Sequence, residues 1–381
     1  MKRTLFDTEH DAYRESVGTL LDRSVVPHFD EWQKAGVVPR SFFTQCGELG
    51  VFAAVPEEYG GAGVDDFRYN VILQEEGARR GVVAASLGPT LQADVVLPYL
   101  LELTDSEQKA RWLPGVASGE TIIAIAMTEP GTGSDLAGIS TRAVREGDHY
   151  VVNGAKTFIT NGINADLVVV VVRTGDDRHK GLSLLVVERD TPGFQRGRNL
   201  EKLGLHAQDT AELSFTDARV PVENLLGSEG DGFVALARNL PQERLSIAAY
   251  AMAHARTALD QTIAHVRTRK AFGRPIGAFQ ATGHRLADLV TDVEITQHYV
   301  DRCIMELVEG ELSATDAAKA KLASTELQGR VLDACLQLHG GYGYMLEYPV
   351  AQAFADARVS RIYGGTSEIM REIIARSLEL A

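Results

Sequence analysis

Three stretches of this 381-residue chain combine residue types that could do chemistry. The first, Gln242-Glu243-Arg244-Leu245, sets an acid beside a base at one end of a long apolar-periodic segment. A carboxylate there would act as a general base if burial raised its pKa; on a solvated helix it would only answer the helix dipole. The second, AMTEPGTGSDLAG (126–138), offers the hydroxyls of Thr128, Thr132 and Ser134 beside Gly131 and Gly133. Such glycines either bring backbone amides close to a flat polar ligand or simply turn the chain out of a strand. The segment lacks G-x-G-x-x-G spacing and no βαβ pattern surrounds it, so nicotinamide binding is not expected. The third, KTFITNG (156–162), places Phe158 and Thr160 just before an Asn-Gly turn. A basic cluster, Arg267, Arg269 and Lys270, precedes Phe272-Gly273 and could meet an anion or complement the end of a helix.

The elements that must position these groups fall into three textures. From Leu245 onward, Ala248, Ala249, Met252, Ala255, Leu259, Ile263 and Val266 recur at steps of three and four, the mark of one helix face. Counted from Pro241 to Thr268, that helix would be about 40 Å long. The helical period returns at about 277–309, 314–339 and 348–378, with a break near Gly364-Gly365, and short connections between long helices predict an antiparallel bundle. The first 120 residues also read as helices. Asp7 or Thr8 caps the first, Pro39 opens another that stops at Gly50, and Thr104 to Glu107 has capping-box spacing. Between these regions lie TIIAIAMT, HYVVNGAKTFIT, ADLVVVVVRT, GLSLLVVER and AELSFTDARV, β-branched runs divided by turn signals. Connections too short for crossover helices predict mostly antiparallel strands in a small barrel or sandwich. The expected fold class is α+β, mainly α: a helical domain at 1–120, a β domain at 121–233 and a four-helix bundle at 234–381.

Composition narrows the function. A formal net charge of -14 argues against nucleic acid or an anionic membrane surface as the main partner. Cys46, Cys303 and Cys335 are far apart and show no metal-ligand spacing, so buried reduced thiols and no metal site are expected. No apolar run reaches the length of a membrane span, and the N-terminus turns acidic without an apolar core segment, so a cytoplasmic protein is the expectation.

Together with RKAFGRPIGAFQ (269–280), QLHGGYGY (337–344) and RIYGGTSEIMREIIAR (361–376), these segments resemble the acyl-CoA dehydrogenase family over the whole chain and in the same order. The resemblance implies an FAD-containing homotetramer of fatty acid β-oxidation. Such an enzyme oxidises the α,β bond of an acyl-CoA and passes electrons to electron-transfer flavoprotein. It implies that Met127, Thr128, Phe158 and Thr160 contact the flavin ring and that Ser134 lies near the pantetheine arm. Arg269, Phe272, Gln280 and Thr366 would hold the diphosphate, partly across a subunit interface, with Gln337 and Gly341 over the adenosine part.

One departure bears on mechanism. Many members carry their glutamate directly after the tyrosine of the last motif; here the sequence is Tyr363-Gly364-Gly365-Thr366. Long-chain and isovaleryl-type members place it in a Glu-Arg-Leu context, which Glu243-Arg244-Leu245 matches. Glu243 is therefore the expected base and the Gly364 amide a donor to the thioester oxygen. Arg244 either positions substrate or pairs with an acid, and Tyr363 either lines the acyl pocket or packs in the core. His339 is expected to pack, and Glu129 and Asp135 to orient their own loop. The long-chain type is the nearest resemblance and implies medium- to long-chain acyl groups, straight or methyl-branched. A flavin oxidase or monooxygenase on the same fold, a pathway-specific thioester and a non-catalytic partner subunit are the competing readings.

Overall fold

The computed structural model describes residues 3–379. The N-terminal part is helical: α1 (Thr8–Ser24), α2 (Phe29–Ala35), α3 (Arg40–Glu48), α4 (Phe67–Arg79), α5 (Val83–Leu91), α6 (Leu97–Leu103) and α7 (Ser106–Ser118). The Asp7 carboxylate caps α1 by accepting from the amides of Glu9 and His10. Between α5 and α6 the chain stays helical but widens into a π turn, Gln92–Val96. The capping box of α7 sits one residue later than the sequence suggested. Asp105 and Gln108 exchange the two bonds, while the Thr104 hydroxyl donates back to the Leu100 carbonyl. Asp accepts an amide as well as Thr does, so spacing alone did not separate the two registers.

A single eight-stranded sheet follows, built from β1 (Ile123–Ala126), β2 (Arg142–Glu146), β3 (His149–Thr160), β4 (Leu167–Arg173), β5 (Leu182–Glu188), β6 (Phe194–Asn199), β7 (Thr210–Pro221) and β8 (Leu225–Leu226). The order β6-β7-β3-β2-β4-β5-β8 is mostly antiparallel, but β1 pairs β4 in parallel from Ile123↔Leu167 to Ala126↔Val170. The sheet is thus mixed. The β2–β3 hairpin supplies the length of chain that a parallel return requires, a route that short turn-to-turn spacing concealed. In β4, Val168, Val170 and Val172 face one apolar cluster and Leu167, Val169 and Val171 another, which accounts for its unbroken valine run.

The C-terminal part consists of α8 (Gly232–Thr268), the hairpin strands β9 (Lys270–Ala271) and β10 (Arg274–Pro275), α9 (Gln280–Val308), α10 (Ala314–His339), α11 (Pro349–Ala357) and α12 (Ser367–Arg376). Helices α8, α9 and α10 share one apolar core that includes Leu245, Met252, Val293, Val300, Leu327 and Val331. The long helix begins nine residues before Pro241, the start expected from sequence, and Pro241 lies inside it. Glu243 is therefore no first-turn residue. A proline reads as a helix start because it lacks an amide hydrogen, yet packing holds the helix through it here.

Candidate active site

A cavity of about 240 Å³ opens where α8, the α5–α6 helix, the loop after β1, the end of β3 and the 363–366 turn converge. Nine residues proposed from the sequence line it: Met127, Thr128, Ser134, Phe158, Thr160, Glu243, Arg244, Tyr363 and Gly364. Its remaining wall is mainly aliphatic, with Leu87, Leu91, Val95, Leu240 and Ile247.

Glu243 is the only carboxylate among the described residues of that lining. Its side chain is buried, and the Tyr99 hydroxyl donates to Oε1 at 2.8 Å. Desolvation pushes the carboxyl up to about 7, against the opposing pull of the Tyr99 hydrogen bond and the Arg244 charge. A group so placed is poised between base and acid near neutral pH. Arg244 is buried too, its Nε has no hydrogen-bond partner, and burial lowers its pKa.

Across the cavity, Gly364 and Gly365 both lie in the left-handed region, at φ 60° and 92°. A Cβ on Gly364 would come within 2.3 Å of the Ile247 Cδ1. No side chain fits there without moving Ile247, so the turn presents backbone to the cavity. The turn is pinned by Lys321, whose buried Nζ donates to the Gly365 carbonyl at 2.6 Å. Burial, and then the Arg244 charge, bring that ammonium down to about 8.

The loop after β1 is tied to β3 by a buried pair, Glu129 and Lys156, 2.9 Å apart. Glu129 also accepts from the Ser140 amide and hydroxyl and from the Thr141 amide. Burial opposes its charge, yet Lys156 and these donors pull it to about 2. Lys156 reaches the Met127 carbonyl, and the Thr157 amide donates to the Thr128 carbonyl. Glu129 thus orients its own loop, and Asp135 does so through an ion pair with Arg178.

This face suits a flat polar cofactor such as FAD. Phe158 stands 68% exposed at φ 61°, an aromatic the chain itself leaves uncovered. A Cβ on Gly131 would meet nothing within 4 Å, and one on Gly133 only the Thr128 methyl. Internal packing does not require those glycines, so space beside them is left for a ligand.

Six proposed residues lie outside the cavity. Arg269 caps α8, with its guanidinium 5.3 Å from the centre of the Tyr342 ring. Phe272 tips the β9–β10 hairpin, 96% exposed at φ 52°, and meets Phe279 edge-on. Gln280 opens α9, Gln337 is in the last turn of α10, Gly341 lies in the short turn after it, and Thr366 caps α12. The single chain does not bring this set to the cavity. His339 packs, stacked on His265 at 4.2 Å.

Sequence reasoning missed Tyr99, Asp94, Gln74 and Lys321. Tyr99 sits in the apolar run LPYLLEL and reads as core. Lys321 lies in an alanine-rich stretch two residues after Lys319, where a solvated residue is the ordinary expectation.

Comparison with known proteins covers the chain. Family models described as acyl-CoA dehydrogenase N-terminal, middle and C-terminal domains match residues 7–120, 124–218 and 230–379. A long-chain specific acyl-CoA dehydrogenase of Sus scrofa mitochondria is 43% identical, covering 99% of this chain and 88% of its own. Among solved structures, an acyl-CoA dehydrogenase from Geobacillus kaustophilus superposes with a TM-score of 0.96 at 48% identity, covering 98% of this chain and 99% of its own. A glutaryl-CoA dehydrogenase from Mycobacterium smegmatis in complex with FADH2 superposes at 0.90 with 28% identity, covering 98% and 95%.

Proposed function

The chain belongs to the acyl-CoA dehydrogenase family, and from that premise we propose that it oxidises a medium- to long-chain acyl-CoA, straight or methyl-branched, to the trans-2-enoyl-CoA. The observation that carries the reading is buried Glu243, the one carboxylate among the described residues of the cavity lining, facing a glycine turn across a mainly aliphatic cavity. Met127, Thr128, Phe158 and Thr160, with Arg269, Phe272, Gln280, Gln337, Gly341 and Thr366, would hold FAD, which when bound would supply the hydride-accepting chemistry at the β carbon, with electron-transfer flavoprotein as the electron acceptor.

The chain's own part is proton transfer and positioning. Glu243 takes the α-proton and ends as the neutral acid, the form that its desolvated site favours. The Gly364 amide donates to the thioester oxygen as negative charge develops, and the turn that carries it is fixed by Lys321. Arg244 and Tyr363 hold the reacting end of the acyl group, and Ser134 lies towards the pantetheine arm. The aliphatic wall from Leu87 to Val95 takes the tail, which supports a chain beyond the shortest acyl groups.

Assembly follows from the six residues outside the cavity. The family resemblance, in which Arg269, Phe272 and Gln280 meet the cofactor from a neighbouring copy, supports a homotetramer as the working form. Changing Glu243 to Gln tests the assignment. The variant is expected to bind FAD at wild-type stoichiometry while substrate reduces its flavin at least a thousandfold more slowly. Rapid reduction would sink it.

A further inference from the structure

Two features of the N-terminal domain converge on α8 without being part of the reacting set. The first is the π turn Gln92–Val96, a wider turn of the kind that often sits at functional sites. It carries Asp94, 1% exposed and without a cation partner among the described residues. Asp94 accepts from Asn70 Nδ2 at 2.7 Å, Gln74 Nε2 at 2.7 Å and Ser246 Oγ at 2.5 Å. Its carbonyl oxygen accepts from Gln242 Nε2 at 2.8 Å. Helix α8 is thus tied to one residue at positions 242 and 246, immediately before Glu243 and one turn further on. The second feature is Tyr99, on the same helix just beyond the π turn, which holds Glu243 Oε1. Glu243 Oε2 has no hydrogen-bond partner among the described residues, and the residue lines the cavity.

We propose that the π turn and Tyr99 form one positioning device for the base: Asp94 fixes α8 on both sides of Glu243, and Tyr99 fixes Oε1 so that Oε2 takes the α-proton. The inference rests on Glu243 being the base. A buried carboxylate with no cation is retained here because it can accept several donors at once, which no neutral side chain of its size can do. Gln74 transmits the constraint. Its amide hydrogens point to Asp94 and Ser246, and its side chain forms part of the cavity wall. The titratable or charged groups facing Glu243 are Tyr99 and Arg244, with Lys321 beside Arg244. Among them, Tyr99 alone donates a hydrogen bond to the carboxylate.

The test uses holoenzyme and anaerobic flavin reduction by a saturating acyl-CoA that reduces the wild type, followed across pH. In Tyr99→Phe the carboxylate loses its donor, so the acid limb of the rate should move up by roughly one pH unit. Gln242→Leu removes a tether without touching Tyr99. It should lower the plateau rate roughly tenfold, leave acyl-CoA affinity within a factor of about two, and leave the acid limb in place. A merely structural role would lower thermal stability and move neither readout. The inference is overturned if the acid limb of Tyr99→Phe coincides with that of the wild type and Gln242→Leu reduces at the wild-type rate, while Glu243→Gln remains inert. Should Glu243→Gln itself reduce rapidly, the base assignment beneath it fails instead.

Discussion

Glu243 costs the folded chain stability whenever it is ionised. Its carboxyl rises from 4.5 in the unfolded chain to about 7 in the folded one. Folding therefore favours the protonated form, a contribution fully present below about pH 4.5 and lost as pH rises through about 7. The loss amounts to about 3 kcal/mol once the group is fully charged. Glu243→Gln, isosteric and neutral, should melt higher than wild type near pH 8, with the gap closing towards about pH 5; equal melting points at both would contradict the burial penalty. The same ionisation sets the chemistry. With Glu243 as the proposed base, the rate of flavin reduction should rise with pH on a limb centred near about 7, because only the carboxylate can accept the α-proton. The proposed base was legible in the sequence, since Glu-Arg-Leu and the missing carboxylate at Gly364 both point to Glu243. Tyr99 and Lys321 were not legible. Each is one polar residue in a helix whose other residues explain its presence, and only tertiary contact shows what its polar end meets.

At the scale of elements, the 363–366 turn does the most with the fewest residues. Two consecutive left-handed glycines aim backbone at the cavity, and Lys321 holds the second by its carbonyl. Gly364→Ala adds a methyl into Ile247 and a side chain at φ 60°. It should cost roughly 1–2 kcal/mol of stability and slow flavin reduction more than it weakens acyl-CoA binding. A variant with wild-type rate and melting point would show that the turn is not constrained as described. The strands and helices were readable where the pattern is strong, as in the β-branched run of β4 and the helical period of α10. Short strands such as β2 and β6 were not, because their polar faces dilute the β signal. The parallel β1–β4 pairing was hidden for a different reason: register between distant strands is a property of the core they share.

The whole molecule leaves a rigid aromatic uncovered. Phe272 is almost fully exposed, yet it sits in a two-strand hairpin against Phe279, with the Arg269 guanidinium over Tyr342 nearby. An aromatic held out by ordered backbone fits burial by another copy. Phe272→Asp is expected to break the proposed tetramer, four times the 41.3 kDa chain, into smaller species and to lower flavin content. Light scattering alongside the 450 nm absorbance checks both, and an intact yellow tetramer would rule out that contact. The order of helical, sheet and helical domains was plain from texture alone, whereas the proposed assembly came only from the family resemblance, because an exposed residue within one chain carries no mark of what would cover it.

The most direct measurement is an anaerobic absorbance titration of the flavin-loaded protein with saturated acyl-CoAs from butyryl to palmitoyl. Bleaching by medium- and long-chain members, with one trans-2-enoyl-CoA formed per flavin and none in Glu243→Gln, is the expected result. A flavin that no acyl-CoA bleaches, or one bleached equally well in Glu243→Gln, would contradict it.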